Sequence, residues 1–367
     1  MNPGFQGRVG LQQRVLPHYR QPFFDRLAQD CGGGLSVFAG LPRPDEAILT
    51  TEQLHRAEFW PARNTHRFSG AFYLCSQPNI VDWLTEIRPD ALVLEANPRY
   101  LSNRRALNWM HMESKPVLGW GLGAAPPKGV LAPIRRLARW SYYRRFHAMI
   151  AYSSQGAEQF AAYGVPRQAI FVALNSVAPA PKFAPDRPSI QDRPIRILFV
   201  GRLQPRKRVD LLLRACQAVN QPIELRIVGD GLARDDWMRL AEEIFPGAEF
   251  TGAQTGANLD AHYRWADLFV LPGTGGLAIQ EAMAHGLPVI VAQGDGTQRD
   301  LVHPDIGWLV DPGSLQSLQS ALETAVSDPA RLRELGRAAY EYVVQHANID
   351  AMAQVFVQAL NYAGKEV

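Results

Sequence analysis

The sequence has few cysteines and no long apolar run. Its 367 residues include three cysteines, Cys31, Cys75 and Cys216, which form no C-x-x-C pair. Neither a disulfide framework nor a zinc knuckle is predicted, and a reducing cytoplasm fits this cysteine usage best. No 18 consecutive residues are apolar, and the first ten residues contain no apolar signal core. We therefore expect neither a membrane span nor a secretion signal, and any membrane contact would be peripheral.

The net charge is also small. The chain carries 38 Lys and Arg against 35 Asp and Glu, a formal charge of +3, which does not indicate a nucleic-acid binder. With 47% hydrophobic and 20% charged residues it has the composition of a folded protein. At about 100 to 200 residues per domain, the length predicts two domains.

Short apolar runs alternate with longer amphipathic stretches along most of the chain. This alternation predicts parallel sheets covered by helices on both faces, the doubly wound α/β architecture. It is interrupted between residues 178 and 194, where five prolines predict an extended linker. We therefore predict a Rossmann-like N-terminal domain, a Pro-rich linker, a Rossmann-like C-terminal domain and a C-terminal helix that packs back on the first domain. Their predicted ranges are 1–177, 178–194, 195–345 and 346–367.

The segment LPGTGGLAIQE gives the strongest local signal for a ligand. A strand ends at Pro272, a Gly-rich turn follows, and a helix is predicted from Leu277. Glycines let a phosphate approach the backbone, and a helix N-terminus offers it unpaired N–H groups. Glu281 lies one turn into this helix, where its carboxylate could reach a ribose diol. An ordinary glycine turn beside an exposed glutamate is the alternative.

A second signal is the segment VGRLQPRK, in which Arg202 and Lys207 follow the predicted strand that ends at Gly201. Guanidinium and ammonium groups both suit phosphate oxygens. Taken alone, a solvated basic turn is the simpler interpretation. Because both segments would end at the same rim of one sheet, we predict that they bind a diphosphate together.

Several ordered segments resemble the GT-B fold glycosyltransferases of family 4. They are VGRLQPRK, IVGDG, FTGAQ, ADLFVLPG, GLAIQEAMAHGLPVI and GWLVDPGSLQSL. The resemblance implies two Rossmann-like domains that face each other across a cleft, with a nucleotide sugar held by the second domain and the acceptor by the first. It implies retaining transfer of a sugar in polysaccharide or glycolipid biosynthesis, with no cofactor and with a UDP-sugar favoured as co-substrate. The implied donor-binding residues are Gly201, Arg202, Lys207, Ala253, Gln254, Gly273, Thr274, Gly275, Gly276, Leu277 and Glu281.

Two positions depart from the family pattern. The family usually has a glutamate eight residues before the ribose-binding one, where this chain has Gly273. It also often has a histidine in the first domain, where the segment GWGLG places Leu122. His18, in the loop after the first predicted strand, is a candidate substitute, because an imidazole exchanges protons near neutral pH.

Acceptor-side candidates follow another strand of the first domain. Glu95, Asn97 and Arg99 lie at its predicted carboxyl end, with Tyr100 just beyond. A helix cap would leave the same pattern. Arg202, Lys207 and His18 are the predicted catalytic residues, and the two cations would stabilise the departing nucleoside diphosphate. Because the chain lacks an Asp-x-Asp pair, we expect metal-independent transfer.

The segment GVLAPIRRLARWSYYRRF is basic and contains no acidic residue. A basic helix of this kind could lie on an anionic membrane, which would place the protein at the inner face of the membrane. A packed helix with a solvated basic face, or a site for a polyanionic saccharide, remains an equal interpretation. The arginines of this segment are Arg135, Arg136, Arg139, Arg144 and Arg145.

Two other functions remain open. The residues at positions 273 and 122 would also suit a nucleotide-sugar-binding protein with little turnover. A sugar-nucleotide epimerase of the same fold is the second alternative. A hydride-transferring enzyme is disfavoured, because GDGLARDD lacks the G-x-G-x-x-G spacing, and no metal-ligand spacing is present.

Overall fold

The computed structural model describes residues 4–46 and 48–366. The chain divides into two compact units. The first unit consists of Met1–Pro179 and Ile349–Val367, and the second of Ala180–Asn348. Each unit contains one large sheet in which neighbouring strands are parallel, and the prediction of a doubly wound α/β architecture is confirmed. Within the described ranges, no helix is long and apolar enough to cross a bilayer.

The sheet of the first unit has seven strands in the order β3-β2-β1-β6-β7-β8-β9. A separate antiparallel pair, β4 and β5, lies outside it. The strands of this unit are β1 (Val9–Val15), β2 (Leu35–Gly40), β3 (Glu58–Pro61), β4 (Thr65–Arg67), β5 (Leu74–Ser76), β6 (Ala91–Glu95), β7 (Val117–Gly121), β8 (Ala148–Ala151) and β9 (Ile170–Val172). Its first five helices are α1 (Gln21–Ala28), α2 (Ile80–Ile87), α3 (Ser102–Met112), α4 (Ala132–Tyr143) and α5 (Ser154–Ala162).

The sheet of the second unit has six strands in the order β12-β11-β10-β13-β14-β15. Its strands are β10 (Ile195–Val200), β11 (Ile223–Val228), β12 (Glu249–Gly252), β13 (Leu268–Leu271), β14 (Val289–Ala292) and β15 (Gly307–Val310). Its helices are α6 (Val209–Gln217), α7 (Arg234–Ile244), α8 (Gly256–Trp265), α9 (Leu277–Ala284), α10 (Thr297–Leu301), α11 (Leu315–Ser327) and α12 (Pro329–Gln345). Strands β13 and β14 are buried throughout, because helices cover both faces of the sheet.

The last helix, α13 (Ile349–Ala363), belongs to the first unit. Phe356 of this helix lies 5.0 Å, between ring centroids, from both Phe23 and Trp120. The Arg26 guanidinium of α1 pairs with Asp350 at 2.6 Å. Aromatic packing and this ion pair therefore attach the C-terminal helix to α1.

The segment before β10 belongs to the second unit. Residues 180–194 form no helix or strand, and Arg187 donates hydrogen bonds to the carbonyls of Tyr263, Ala266 and His285 at 2.5–2.7 Å. The extended linker between the two domains stays a prediction.

Candidate functional site

The carboxyl ends of two central strands bring the two basic and Gly-rich segments together. β10 and β13 are parallel neighbours, with Ile197 opposite Leu268. Their ends therefore lie at one edge of the second sheet, as in other open α/β sheets that bind ligands there. The turn Pro205–Lys207 follows β10, and the Gly-rich loop follows β13.

Three hydrogen bonds hold this turn against the Gly-rich loop. The Lys207 ammonium donates to the Thr274 carbonyl at 2.6 Å. The Thr274 N–H donates to the Arg206 carbonyl at 3.2 Å, and the Arg206 guanidinium donates to the Thr274 hydroxyl at 3.2 Å. The ammonium group of Lys207 is thereby fixed beside the backbone that leads into α9.

Burial, and to a smaller extent the nearby charges of Arg206 and Arg202, together lower the pKa of Lys207 from 10.5 to about 8. Each of these causes disfavours the ammonium form. A bound anion would reverse this effect, because it would compensate the three neighbouring cations. The positive charge at this edge of the sheet therefore favours an anionic ligand. Arg202 is exposed two residues after the end of β10.

The glycines of the loop are required by close packing. A Cβ atom at Gly273 would lie 2.2 Å from the Arg206 carbonyl oxygen and 2.6 Å from the Lys207 Cα. A Cβ atom at Gly275 would lie 2.5 Å from the Lys207 ammonium. At Gly273 these contacts are with backbone atoms, which would have to move, so the glutamate that the family usually has at this position does not fit this arrangement. At Gly275 the Lys207 side chain would have to move instead.

The N-terminus of α9 continues the loop. Gly276 is its N-cap residue and provides no side-chain cap, and Leu277 is the first helical residue. The Gly275 carbonyl accepts a hydrogen bond from Gln298 at 2.7 Å. Gln298 is buried and belongs to α10, a helix that the sequence analysis did not predict.

Glu281 lies on the second turn of α9, and its carboxylate accepts a hydrogen bond from the Tyr263 hydroxyl at 3.2 Å. Burial raises the pKa of Glu281, although the hydrogen bond from Tyr263 opposes this shift. The His285 ring stacks on Tyr263 with 4.8 Å between centroids and contacts the Glu281 carbonyl through Nδ1 at 2.8 Å. Neither aromatic residue is indicated by the sequence pattern: Tyr263 comes from α8, and His285 immediately follows the last residue of α9.

The nucleobase candidates lie at the end of β12, the outer strand at this side of the sheet. Ala253 is exposed, and Gln254 donates a hydrogen bond to the Thr251 carbonyl at 3.0 Å. Gly201 lies between these residues and the Gly-rich loop, and its N–H donates to the Val228 carbonyl at 3.0 Å. The predicted donor-binding residues of the second unit therefore all follow the carboxyl ends of its parallel strands.

In the first unit, the predicted residues follow β1 and β6, which are also parallel neighbours. His18 is exposed in the turn between β1 and α1. Glu95 ends β6, and its carboxylate accepts a hydrogen bond from the backbone N–H of Arg14. Burial raises the pKa of Glu95 to about 7, so its carboxyl group can gain or lose a proton near neutral pH.

The three acceptor-side candidates, Glu95, Asn97 and Arg99, have different surroundings. The Asn97 carboxamide accepts a hydrogen bond from the Arg99 backbone N–H at 3.1 Å, which makes Asn97 a turn residue. The Arg99 side chain is exposed and lines an open cavity of about 570 Å³ together with Phe68, Phe72 and Tyr73. Arg99 therefore faces a surface with aromatic walls, whereas Glu95 lies deeper.

Arg20 is a further charged residue near this edge, and the sequence analysis missed it. It is 6% exposed, and its guanidinium lies 5.2 Å from the Trp120 ring and 5.7 Å from the Tyr152 ring. These rings come from β7 and from the residue after β8. The sequence HYR does not indicate that Arg20 points inward while His18 points outward. Leu122, at the position of the family histidine, is 52% exposed.

Comparisons with known proteins agree with this arrangement. The profile of the family described as glycosyl transferases group 1 matches residues 182–342. A GDP-mannose-dependent alpha-mannosyltransferase of Mycolicibacterium smegmatis is 36% identical over 367 residues, covering 93% of this chain and 90% of that protein.

A second protein of the same organism is a GDP-mannose-dependent alpha-(1-6)-phosphatidylinositol monomannoside mannosyltransferase. It is 28% identical over 189 residues, covering 45% of this chain and 49% of that protein. Among solved structures, the lipopolysaccharide outer core galactosyltransferase WaaB in its apo form has a TM-score of 0.71 and 18% identity, covering 96% of this chain and 99% of that one. This last likeness concerns the fold.

Proposed function

We propose that this chain, which belongs to the glycosyl transferases group 1 family and has the GT-B fold, transfers a mannosyl unit from GDP-mannose to a saccharide or lipid-linked acceptor. The observation that carries this proposal is the 36% identity to a GDP-mannose-dependent mannosyltransferase over nearly the full length of both chains. The family resemblance favours a UDP-sugar instead, and this stays a prediction that the same assay tests.

Charge stabilisation at the leaving group is the central step of the proposed mechanism. When the anomeric bond breaks, the departing nucleoside diphosphate gains negative charge. Arg202, Lys207 and the N-terminus of α9 would stabilise this charge, and preorganised groups of this kind often contribute several kcal/mol to catalysis. We further propose that transfer retains the anomeric configuration and needs no metal ion, since the cations of the chain supply the positive charge.

Glu281 and Tyr263 would position the nucleotide. The hydrogen bond from the Tyr263 hydroxyl holds the Glu281 carboxylate in one orientation, from which it could accept hydrogen bonds from a ribose diol. Ala253 and Gln254 would line the base. The backbone around Gly275 would contact the diphosphate, because Gly273 and Gly275 carry no side chain that would keep a phosphate away.

The acceptor would bind to the first unit. Phe68 and Phe72 offer exposed aromatic faces, on which sugar rings could stack, and Arg99 offers hydrogen-bond donors in the same cavity. His18 would exchange a proton with the acceptor hydroxyl. We also propose that the protein works in the cytoplasm at the inner face of the membrane, which agrees with the phosphatidylinositol-linked acceptor named for one relative.

Mass spectrometry of reaction mixtures tests the proposal. The protein is incubated with GDP-mannose or UDP-glucose, in the presence of EDTA, with octyl glycosides or a bacterial lipid extract as acceptors. We expect an acceptor that gains one hexose from GDP-mannose and no product with Lys207→Met. An isomerised nucleotide sugar without any acceptor product would instead indicate an epimerase.

The absence of the family carboxylate and histidine at Gly273 and Leu122 favours a second candidate, a nucleotide-sugar-binding protein with little turnover. It predicts that GDP-mannose binds but stays intact with every acceptor. Product from UDP-glucose alone would support the UDP-sugar prediction and contradict the proposed donor. Loss of product in EDTA, restored by magnesium or manganese, would contradict metal independence.

A further inference from the structure

The helix α4 and the residues before it expose a continuous row of large apolar side chains. Val130, Leu131, Ile134 and Leu137 are 97%, 53%, 68% and 65% exposed, and we name these four residues the α4 apolar stripe. Ile134 and Leu137 lie three residues apart and therefore on the same side of the helix, and Val130 and Leu131 lie in the turn that precedes its first residue, Ala132. Large apolar patches on a protein surface commonly mark a site of association with a partner or a membrane.

The aromatic residues of this helix differ in their exposure. Tyr142 and Tyr143 are buried against the first unit, and Trp140 is 41% exposed beneath the guanidinium of Arg144. The two tyrosines therefore attach α4 to the protein. The aliphatic side chains of the stripe are exposed on the helix together with Arg135 and Arg136.

The charged residues of the segment that carries the stripe all have the same sign. No aspartate or glutamate occurs between Glu113 and Glu158 in the sequence. Lys128, Arg135 and Arg136 are exposed next to the stripe. This combination of apolar and basic side chains complements an anionic bilayer, whose acyl chains are apolar and whose headgroups are negatively charged.

The other arginines of the segment are engaged by the protein. The Arg139 guanidinium donates to the Ala125 carbonyl and to the Tyr163 hydroxyl. The Arg145 guanidinium donates to the Asn108 carboxamide at 2.6 Å. Arg135 and Arg136 are therefore the better candidates for contacts outside the protein.

A cavity of about 410 Å³ opens beside the first turn of α4. Its walls include Pro126, Pro127, Pro133 and Tyr163, and Arg136 is the one charged residue that lines it. A lipid phosphate beside Arg136 would place its glycerol backbone against these apolar walls. A free anion would gain nothing from such walls, so the cavity fits a lipid headgroup region better than a soluble phosphate.

We propose that α4 lies in the interface of an anionic lipid bilayer, with the α4 apolar stripe inserted among the acyl chains and Arg135 and Arg136 at the level of the phosphates. Interfacial helices combine these two features. Membrane binding by α4 would bring the enzyme to a lipid-linked acceptor, and only this purpose rests on the proposed function. The partner that covers the α4 apolar stripe is the bilayer itself. Binding of a second copy of this chain to the same stripe is a competing outcome of the test.

Vesicle co-sedimentation tests the proposal on the full chain. The vesicles contain phosphatidylcholine alone, or phosphatidylcholine with about one third phosphatidylglycerol. We expect binding to the anionic vesicles and much weaker binding to the neutral ones. The basic residues near an anionic surface contribute about fivefold each to the partition constant. Arg135→Ala with Arg136→Ala should therefore weaken binding about 30-fold.

A second variant tests the contribution of the α4 apolar stripe to vesicle binding. Ile134→Ser with Leu137→Ser keeps the charge of the helix and should weaken binding to anionic vesicles at least tenfold, because burial of these side chains in the acyl region is lost. Two pairs on the same unit serve as matched controls. Arg104→Ala with Arg105→Ala removes two adjacent exposed arginines of α3, and Leu49→Ser with Met112→Ser removes two side chains that are 84% and 85% exposed.

Each outcome decides the proposal. Unchanged binding by the control pairs together with weaker binding by both α4 pairs supports it. Equal binding to neutral and anionic vesicles, no binding to either, or an unaffected serine variant would overturn it. A dimer in light scattering that the serine variant converts to a monomer would indicate a second copy as the occupant. Stabilisation of the same samples by GDP reports separately on the proposed function, which can hold when vesicle binding fails.

Discussion

Replacement of Lys207 by methionine tests whether the positive charge of Lys207 contributes more to GDP binding than to the free energy of unfolding. Methionine has a similar length and no charge. The variant loses the hydrogen bond to the Thr274 carbonyl, whose length is 2.6 Å. It also removes a buried cation that lies near Arg202 and Arg206, the same surroundings that lower the pKa of Lys207 to about 8.

These two changes oppose each other in the free protein. A hydrogen bond with a charged donor contributes about 1.5–3 kcal/mol, and relief of desolvation and repulsion offsets a similar amount. We therefore expect the free energy of unfolding to change by less than about 1 kcal/mol. In the complex the balance differs, because the diphosphate compensates the cations. Loss of one charged contact should weaken GDP binding about 10- to 150-fold.

Isothermal titration calorimetry with GDP, combined with thermal unfolding, measures both quantities. Lys207→Arg should retain most of the affinity, and Arg214→Met, which removes an exposed cation of α6, should retain all of it. Because Lys207 is charged below its pKa of about 8, GDP binding by the wild type should weaken as the pH rises from 7 to 9. This decrease should be smaller in Lys207→Arg. Wild-type affinity in Lys207→Met would refute the assignment of the phosphate site.

Three further predictions concern packing, the acceptor surface and the nucleotide. Gly273→Ala should lower the free energy of unfolding by about 1–3 kcal/mol and weaken GDP binding, because the new Cβ would lie 2.2 Å from a carbonyl oxygen. Gly247→Ala, which meets nothing within 4 Å, should do neither in the same titrations. Phe72→Ala should raise the acceptor KM severalfold and leave the GDP-mannose KM unchanged, and equal changes in both would contradict an acceptor role. Tyr263→Phe should weaken GDP binding by less than Glu281→Ala does, since it removes only the hydrogen bond that orients the carboxylate.

Much of the second unit could be predicted from the sequence because its signals are local. Arg202 and Lys207 follow one apolar run, and the glycines follow another, so a parallel sheet brings them to the same edge. The GT-B prediction is confirmed by the family and by the solved structures. The close contact between Gly273 and the Arg206 carbonyl was not predictable, because it joins residues 67 positions apart whose distance depends on backbone geometry.

Residues that act through contacts between different elements were missed for a related reason. Tyr263 reaches Glu281 from a neighbouring helix, and nothing in its own segment indicates a hydrogen bond to a carboxylate. Arg20 is buried against the aromatic rings of Trp120 in β7 and of Tyr152 directly after β8, whereas the nearby His18 is exposed. On the surface, composition identified the basic character of α4, but burial of its tyrosines and exposure of its aliphatic residues became visible only in the fold.

The most direct test of the central claim is a calorimetric comparison of GDP-mannose and UDP-glucose in the presence of EDTA, for the wild type and for Lys207→Met. The account predicts that the wild type binds GDP-mannose more tightly than UDP-glucose and that the variant loses most of this affinity. Tighter binding of UDP-glucose would contradict the proposed donor. Equal binding of GDP-mannose by both proteins would contradict the proposed site.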